Sequence, residues 1–311
     1  MSRTGAPISL LNVIKYIKRQ KGAHISVLAL SGGVLADEFE AFADELFYYN
    51  SKKSFTDKII NRIVKLDKRL SKVIQSHKKR AFDIVLANTI VSATILNHLL
   101  ENISLKSILW IHEHDYSINH FYPNLINSNI IHRVDKVLAV SEYSKKLLVD
   151  KYNFNSDSIE IVGECIEVLS HKQNHEYGVP PIFERNFRYV GGCGLTSWRK
   201  GIDLFIQLAL YTQVNYPEEN IKFIWIGEIT HGTKLMLDYE LPRLELKNII
   251  FTGQVSNPAD YLNQLSVFTL TSREDPFPLV AIEAAALSKP IICFDESGGM
   301  VEFVNKGAGI V

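Results

Sequence analysis

Four stretches in the second half of the chain combine apolar character, short length and regular spacing in a way that leaves little choice of fold. They are Lys222-Phe223-Ile224-Trp225-Ile226-Gly227, Asn248-Ile249-Ile250-Phe251-Thr252-Gly253, Ser266-Val267-Phe268-Thr269-Leu270 and Pro290-Ile291-Ile292-Cys293-Phe294-Asp295. A strand with one wet face alternates apolar and polar residues, whereas these runs are apolar almost throughout and must be covered on both faces. Helical stretches between them, such as 203–214 and 261–265, supply the covering layers and predict βα units on a parallel, doubly wound sheet. The first half repeats the pattern, with strands predicted at 24–30, 82–87, 107–111 and 136–140 and helices at 7–20, 57–77, 91–100 and 142–152. Gly178, Pro180 and Pro181 break all periodicity across 174–187. The reading is two α/β domains, 1–173 and 188–311, joined by a linker at 174–187. A chain of 311 residues that is 46% apolar is long enough for two cores.

The chemistry concentrates where strands hand over to helices. After the run 266–270 comes Ser272-Arg273-Glu274-Asp275-Pro276-Phe277-Pro278-Leu279, and then a helical stretch carrying Glu283. Pro278 suits a first helical turn, so this loop lies at the carboxyl end of a strand and at a helix N-terminus, where open α/β sheets bind ligands. Free backbone N–H groups there favour a phosphate, and Asp275 and Glu283 can accept hydrogen bonds from sugar or ribose hydroxyls. The same residues also read as a capped amphipathic helix with a solvated Glu283.

A second handover, Gly191-Gly192-Cys193-Gly194 followed by Thr196-Ser197-Trp198-Arg199-Lys200-Gly201, follows the apolar Phe187–Val190 stretch and reads as strand, glycine loop and helix. Its small residues would let the backbone approach phosphate oxygens. Arg199 and Lys200 add a fork of donors and a point charge where a diphosphate leaving group gains charge. The dinucleotide fingerprint spacing is not matched, and no acid ends a second strand to hold an adenosine ribose, which disfavours a dehydrogenase. Two solvated cations at a helix start are the alternative.

Asp275 and Glu283 are separated by seven residues, and the stretch from Glu274 to Pro290 resembles the acidic motif of retaining family 4 glycosyltransferases. The resemblance extends along the chain and implies the GT-B fold, two Rossmann-like doubly wound domains facing a cleft, with the donor on the C-terminal domain. It implies transfer of a sugar from a nucleoside diphosphate sugar to a hydroxyl acceptor, a glycan or glycolipid of the kind built into bacterial surface polysaccharide, with neither metal nor cofactor. By the same resemblance Arg199 and Lys200 hold the diphosphate, Gly5, Phe277, Leu279 and Glu283 also bind the donor, and Asp275 or Glu274 meets the transferred sugar. The family's first acid is commonly Glu, whereas Asp275 holds that register here and Glu274 lies just outside it. Relatives also place an Arg early in the glycine loop, where this chain has Gly192-Cys193-Gly194.

In the first domain, Trp110-Ile111-His112-Glu113-His114-Asp115 runs from a strand into polar residues. His112 and His114 are two apart, share a face if the strand continues, and with a nearby acid suggest a metal, though no third ligand stands at a diagnostic spacing. The resemblance instead places His112 as a catalytic residue facing the anomeric carbon, with His114 as its competitor. Gly5-Ala6-Pro7 resembles the family's N-terminal glycine loop, normally preceded by a strand. Only four residues precede Gly5, and the chain stops at Gly309-Ile310-Val311, so a truncation at both ends is expected.

Lys plus Arg equals Asp plus Glu at 34 each, giving no global support for nucleic-acid binding. The segment from Lys52 to Arg80 nevertheless holds eleven of the cations, with Lys58, Arg62, Lys65, Arg69 and Lys72 on one helical stripe. Such a stripe reads as solvated helix surface or as a peripheral contact with anionic membrane. No secretory leader or apolar run near eighteen residues is present, and Cys165, Cys193 and Cys293 are odd in number and widely spaced. A cytoplasmic enzyme is expected. A catalytically impaired nucleotide-sugar-binding module is the alternative. A nucleotide-sugar epimerase is disfavoured because its dinucleotide glycine signature is not found.

Overall fold

A computed structural model describes residues 4–20, 22–49, 66–166 and 178–311. The chain divides into two compact units, Met1–Cys165 and Ile166–Val311, each an α/β structure with parallel strands.

The first unit contains β1 (Ser26–Ala29) paired with β2 (Glu45–Tyr48), and a sheet of β3 (Ile84–Asn88), β4 (Lys106–Ile111), β5 (Lys136–Ala139) and β6 (Ile159–Ile161) in that order. Ala87, Leu109, Ile111, Val137 and Ala139 join one buried cluster on this sheet. The helix Gly5–Arg19 buries Leu11 and Ile14, one turn apart, against Leu35 and Phe39. It begins at Gly5, so Gly5-Ala6-Pro7 is its first turn and not a preceding loop; Pro7 fits because the N–H it lacks would have no partner there. The helix Leu66–Arg80 covers the end of the basic segment, whose Lys58, Arg62 and Lys65 lie outside the described residues. None of the described helices is long and apolar enough to cross a membrane.

The second unit is a six-stranded parallel sheet of β7 (Arg188–Cys193), β8 (Ile221–Ile226), β9 (Ile249–Phe251), β10 (Val267–Leu270), β11 (Ile291–Cys293) and β12 (Gly309–Ile310). The order is β12-β11-β10-β7-β8-β9. The apolar run in β8 explains why both faces are covered. Ile224 and Ile226 enter one buried cluster, while Phe223 and Trp225, on the opposite face, enter another with Phe205 and Ile206 of the helix Ile202–Asn215. Burying each such side chain is worth roughly 1.5–3 kcal/mol. Residues 178–187, expected as linker, belong to this unit: Ile182, Phe183 and Phe187 pack on its core, and the Phe183 ring meets Tyr189 edge-on at 4.6 Å.

One sequence expectation is corrected here. Gly191 and Gly192 are not a loop; β7 runs through both to Cys193. A Cβ on Gly191 would sit 2.3 Å from Leu265 Cδ1, and one on Gly192 2.7 Å from the Trp225 ring. These glycines serve close packing within the sheet, not an approach to phosphate.

Candidate active site

The strand order of the second unit reverses between β7 and β10, which are hydrogen-bonded neighbours. Chain leaving the carboxyl ends of both strands therefore enters one crevice. Arg199 and Lys200 follow β7, and Glu274 and Asp275 follow β10. Lys200 Nζ donates to Asp275 Oδ2, Arg199 Nη1 lies 3.5 Å from Asp275 Oδ1, and Arg199 Nη1 donates to the Glu274 carbonyl at 2.6 Å. Ser272 Oγ donates to Asp275 Oδ2 at 3.3 Å. Asp275 is 7% exposed. Burial pushes its carboxyl up, but the charges of Lys200 and Arg199 outweigh burial and hold it below the usual range. Asp275 is thus the counter-ion of the two cations, and Glu274, only partly buried, is the more exposed of the two acids.

The surrounding loops are braced. Arg273 forks onto both oxygens of Asp203 at 2.8 and 2.6 Å, lies over the Trp198 ring at 5.0 Å, and donates its backbone N–H to the Arg199 carbonyl at 2.9 Å. The expected donor residues diverge in environment. Leu279 opens the helix Leu279–Ala286 and is buried, whereas Phe277 packs on the core and meets the Phe303 ring at 6.4 Å. Cys193, at the end of β7, has a thiol pushed up to about 12 by burial and by the charge of Glu283, opposed by Lys200. Both groups therefore act on this strand end, and the thiol is inert as a nucleophile.

Sequence reasoning missed the loop after β11. Asp275 N–H donates to the Ser297 carbonyl at 2.7 Å and Gly299 N–H to the Pro276 carbonyl at 2.8 Å, so residues 297–299 fix the acidic loop. The pair Gly298-Gly299 after an apolar run was the available signal. Beyond β9, at the same carboxyl edge of the sheet, a cavity of about 510 Å³ is lined by Pro180, Pro181, Thr252, Val255, Asn257 and Tyr261, among others.

In the first unit, the structure brings together His112, Asn88 and the start of the Gly5 helix. His112 Nε2 lies 2.8 Å from Asn88 Oδ1, and Asn88 Nδ2 donates to the Ala6 carbonyl at 3.0 Å. His114 goes elsewhere. The strand ends at Ile111, so the two histidines do not share a face; His114 precedes the helix Asp115–Phe121, is 2% exposed, and pairs with Ser144 Oγ at 2.7 Å. It is a structural histidine.

Residues 184–311 match the family model of glycosyl transferases group 1, and residues 3–168 match that of Glycosyltransferase Family 4. An uncharacterized glycosyltransferase of Haemophilus influenzae is 26% identical over 213 residues, 66% of this chain and 55% of that protein. The capsular polysaccharide biosynthesis glycosyltransferase CapH of Staphylococcus aureus is 25% identical over 91% of this chain and 76% of its own length. The chain spans less than two thirds of several of the relatives it matches: the matched stretch covers 47% of Staphylococcus aureus CapM and 28% of the alpha-galactosylglucosyldiacylglycerol synthase of Streptococcus pneumoniae. Among solved structures, Anabaena HepE in complex with UDP and glucose superposes with a TM-score of 0.76 at 19% identity, over 99% of this chain and 82% of that one. That likeness identifies the fold as GT-B, with both units Rossmann-like. The family 4 match alone spans more than half of the chain, and the chain belongs to glycosyltransferase family 4.

Proposed function

We propose that this protein is a retaining, metal-independent glycosyltransferase that moves a sugar from a nucleoside diphosphate sugar to a hydroxyl acceptor. The observation that carries the reading is the Arg199, Lys200 and Asp275 cluster at the crevice between β7 and β10. When the bond from the anomeric carbon to the diphosphate breaks, negative charge gathers on the departing oxygens. Two cations already fixed in place stabilise that charge without reorganisation, the service a divalent metal performs elsewhere. Asp275 keeps both cations oriented. Glu274 or Asp275 meets the transferred sugar, and Glu283, one helical turn into Leu279–Ala286, accepts from the donor ribose. The cavity beyond β9 has the size to take the base. CapH and an O-antigen biosynthesis glycosyltransferase of Escherichia coli support an acceptor in surface polysaccharide assembly. In this reading the enzyme works on the cytoplasmic side of a membrane, where the basic segment from Lys52 to Arg80 would hold it peripherally against anionic lipid.

A panel of nucleotide sugars screened by thermal stabilisation, followed by a transfer assay, tests the reading directly. Lys200→Ala should weaken nucleoside diphosphate binding in calorimetry by about 1.5–3 kcal/mol, the range for a charge-assisted hydrogen bond. Chelator should leave transfer unchanged. Activity abolished by chelator and restored by a divalent ion, or unaltered affinity in Lys200→Ala, would sink the diphosphate assignment.

The acids separate by ligand. Glu283→Gln should weaken both free nucleoside diphosphate and the nucleotide sugar, because the ribose is common to both. Glu274→Gln should weaken only the latter. Equal losses for both ligands in both variants would show these roles to be wrong.

A further inference from the structure

The chain between His112 and β5 combines exposure with a lack of charge. From Tyr116 to Ile131 there is no Lys, Arg, Asp or Glu, although at the chain's 22% charged content sixteen residues would carry three or four. The segment is not interior: Tyr116, Phe121 and Ile126 are 51%, 54% and 46% exposed, and His120, Asn124 and Asn127 are exposed beside them. Exposed positions are ordinarily where charged side chains collect, and clustered exposed apolar groups mark interaction sites, whereas scattered ones do not. Here aromatic rings and carboxamides occupy the surface in place of ions.

The rings are held in place from below. Ile118 and Leu125 are fully buried in the core of the β3–β6 sheet, and Tyr122 packs on the same core with its hydroxyl 3.0 Å from Ser128 Oγ. Asp115, which opens the helix Asp115–Phe121, is taken up locally by Lys151 Nζ at 2.7 Å, the Tyr152 hydroxyl at 2.7 Å and Asn119 Nδ2 at 3.0 Å. On that base the Tyr116 and His120 rings lie nearly parallel, at 4° with centroids 6.3 Å apart. The Phe121 ring stands edge-on to His120 at 82° and 4.8 Å. The helix leaves the carboxyl end of β4, the strand end that also carries His112, and Tyr116 stands in its first turn. Ligands of open α/β sheets bind outside such strand ends.

We infer that this face is the acceptor subsite and takes a neutral saccharide, with Tyr116 and Phe121 stacking on pyranose rings and the Asn124 and Asn127 carboxamides bonding the hydroxyls. A sugar ring presents an apolar C–H face and a rim of uncharged hydroxyls. The negative face of an aromatic ring attracts the C–H groups, and a carboxamide both donates and accepts, as a hydroxyl does. No ionised side chain is needed, and the segment supplies none. A glycan bearing uronate or phosphate would call for the charge-assisted bonds of Arg or Lys, and an anionic lipid surface for a cluster of them. The role as acceptor subsite rests on the proposed function, whereas the binding of saccharide does not.

An array of neutral oligosaccharides beside uronate- and phosphate-bearing ones, probed with the fluorescently labelled full chain, reads the class directly. Neutral glycans should give the signal. Titration of the strongest of them should show Tyr116→Ala and Phe121→Ala each weakening binding about three- to tenfold, as loss of one stacked ring does. Tyr116→Phe, which keeps the ring, should hold its affinity. Tyr211→Ala removes a ring that is 56% exposed on the other unit and should bind like the wild type. Silence from neutral glycans, a stronger signal from the anionic ones, or equal affinity in Tyr116→Ala, Phe121→Ala and Tyr211→Ala overturns the inference. Ring-dependent glycan binding without transfer from any nucleotide sugar would overturn the proposed function and leave this inference standing; transfer whose acceptor KM is untouched in Tyr116→Ala and Phe121→Ala would do the reverse.

Discussion

Asp275→Ala should lower the stability of the C-terminal unit by about 3–5 kcal/mol, the usual cost of removing one partner from a buried ion pair. Lys200 is only 14% exposed at its side chain and would keep its charge beside a small apolar residue, with Arg199 close by to repel it. The Asp275 contact spans 75 residues of sequence and joins the two loops of the crevice, so nothing local can replace it. Urea unfolding at pH 7 checks this; a loss below about 1 kcal/mol would class the pair with exposed salt bridges. Asp275→Leu combined with Lys200→Met should recover much of the loss, because an apolar replacement of both charges leaves neither of the pair buried alone. The pH dependence has a defined sign. The Asp275 carboxyl lies below its ordinary value of 3.8 in the folded protein, so its stabilisation is fully present above that value and is lost as pH falls through the depressed folded value. Acid unfolding of the wild type should therefore steepen below about pH 4, and Asp275→Asn should flatten that limb.

The strands of the second unit were legible because their signal is local. β8 is apolar at five of its six positions, Ile221 and Phe223 to Ile226, and no other element type accommodates so short a run between turn residues. β2 and β6 were not legible: Glu45–Tyr48 opens on a charge and Ile159–Ile161 is three residues long. Their pairing supplies what their sequences do not. The helix Asp115–Phe121 escaped notice for a similar reason, being polar at most of its positions. The residue types of the site were readable, but not their pairing. Arg199, Lys200 and Asp275 each stand at a handover whose chemistry is local, whereas the ion pair between them depends on β7 and β10 being neighbours. Glu164 stands alone after β6 with no pattern around it, and only the fold brings it to His112. The glycines of β7 were misread because their cause, the bulk of Leu265 and Trp225, lies on other elements.

Gly201→Ala should cost about 2–5 kcal/mol, combining roughly 1–2 kcal/mol for placing a Cβ in the left-handed region with about 1–3 kcal/mol for overpacking. Gly201 has φ +67°, and a Cβ there would lie 1.8 Å from the Thr271 carbonyl oxygen and 2.7 Å from its carbon. Those are backbone atoms at the end of β10, which cannot swing aside as a side chain would. Relief requires one of the two handovers to move. The residue is tied on both sides: its N–H donates to Trp198 O at 3.1 Å, its carbonyl accepts from Phe205 N–H at 3.0 Å, and Thr271 Oγ1 donates to Lys200 O at 3.2 Å. Any shift is therefore passed to Lys200 and Arg199, and nucleoside diphosphate affinity should fall together with stability. Gly232→Ala is the matched control, since a Cβ there meets nothing within 4 Å at the start of the helix His231–Leu244 and should be neutral or stabilising by about 0.4–1 kcal/mol. Thermal and urea unfolding of both variants separate the cases: if Gly201→Ala unfolds like Gly232→Ala, the close approach to Thr271 does not constrain the loop, and the third residue of Arg199-Lys200-Gly201 is not there for conformational reasons.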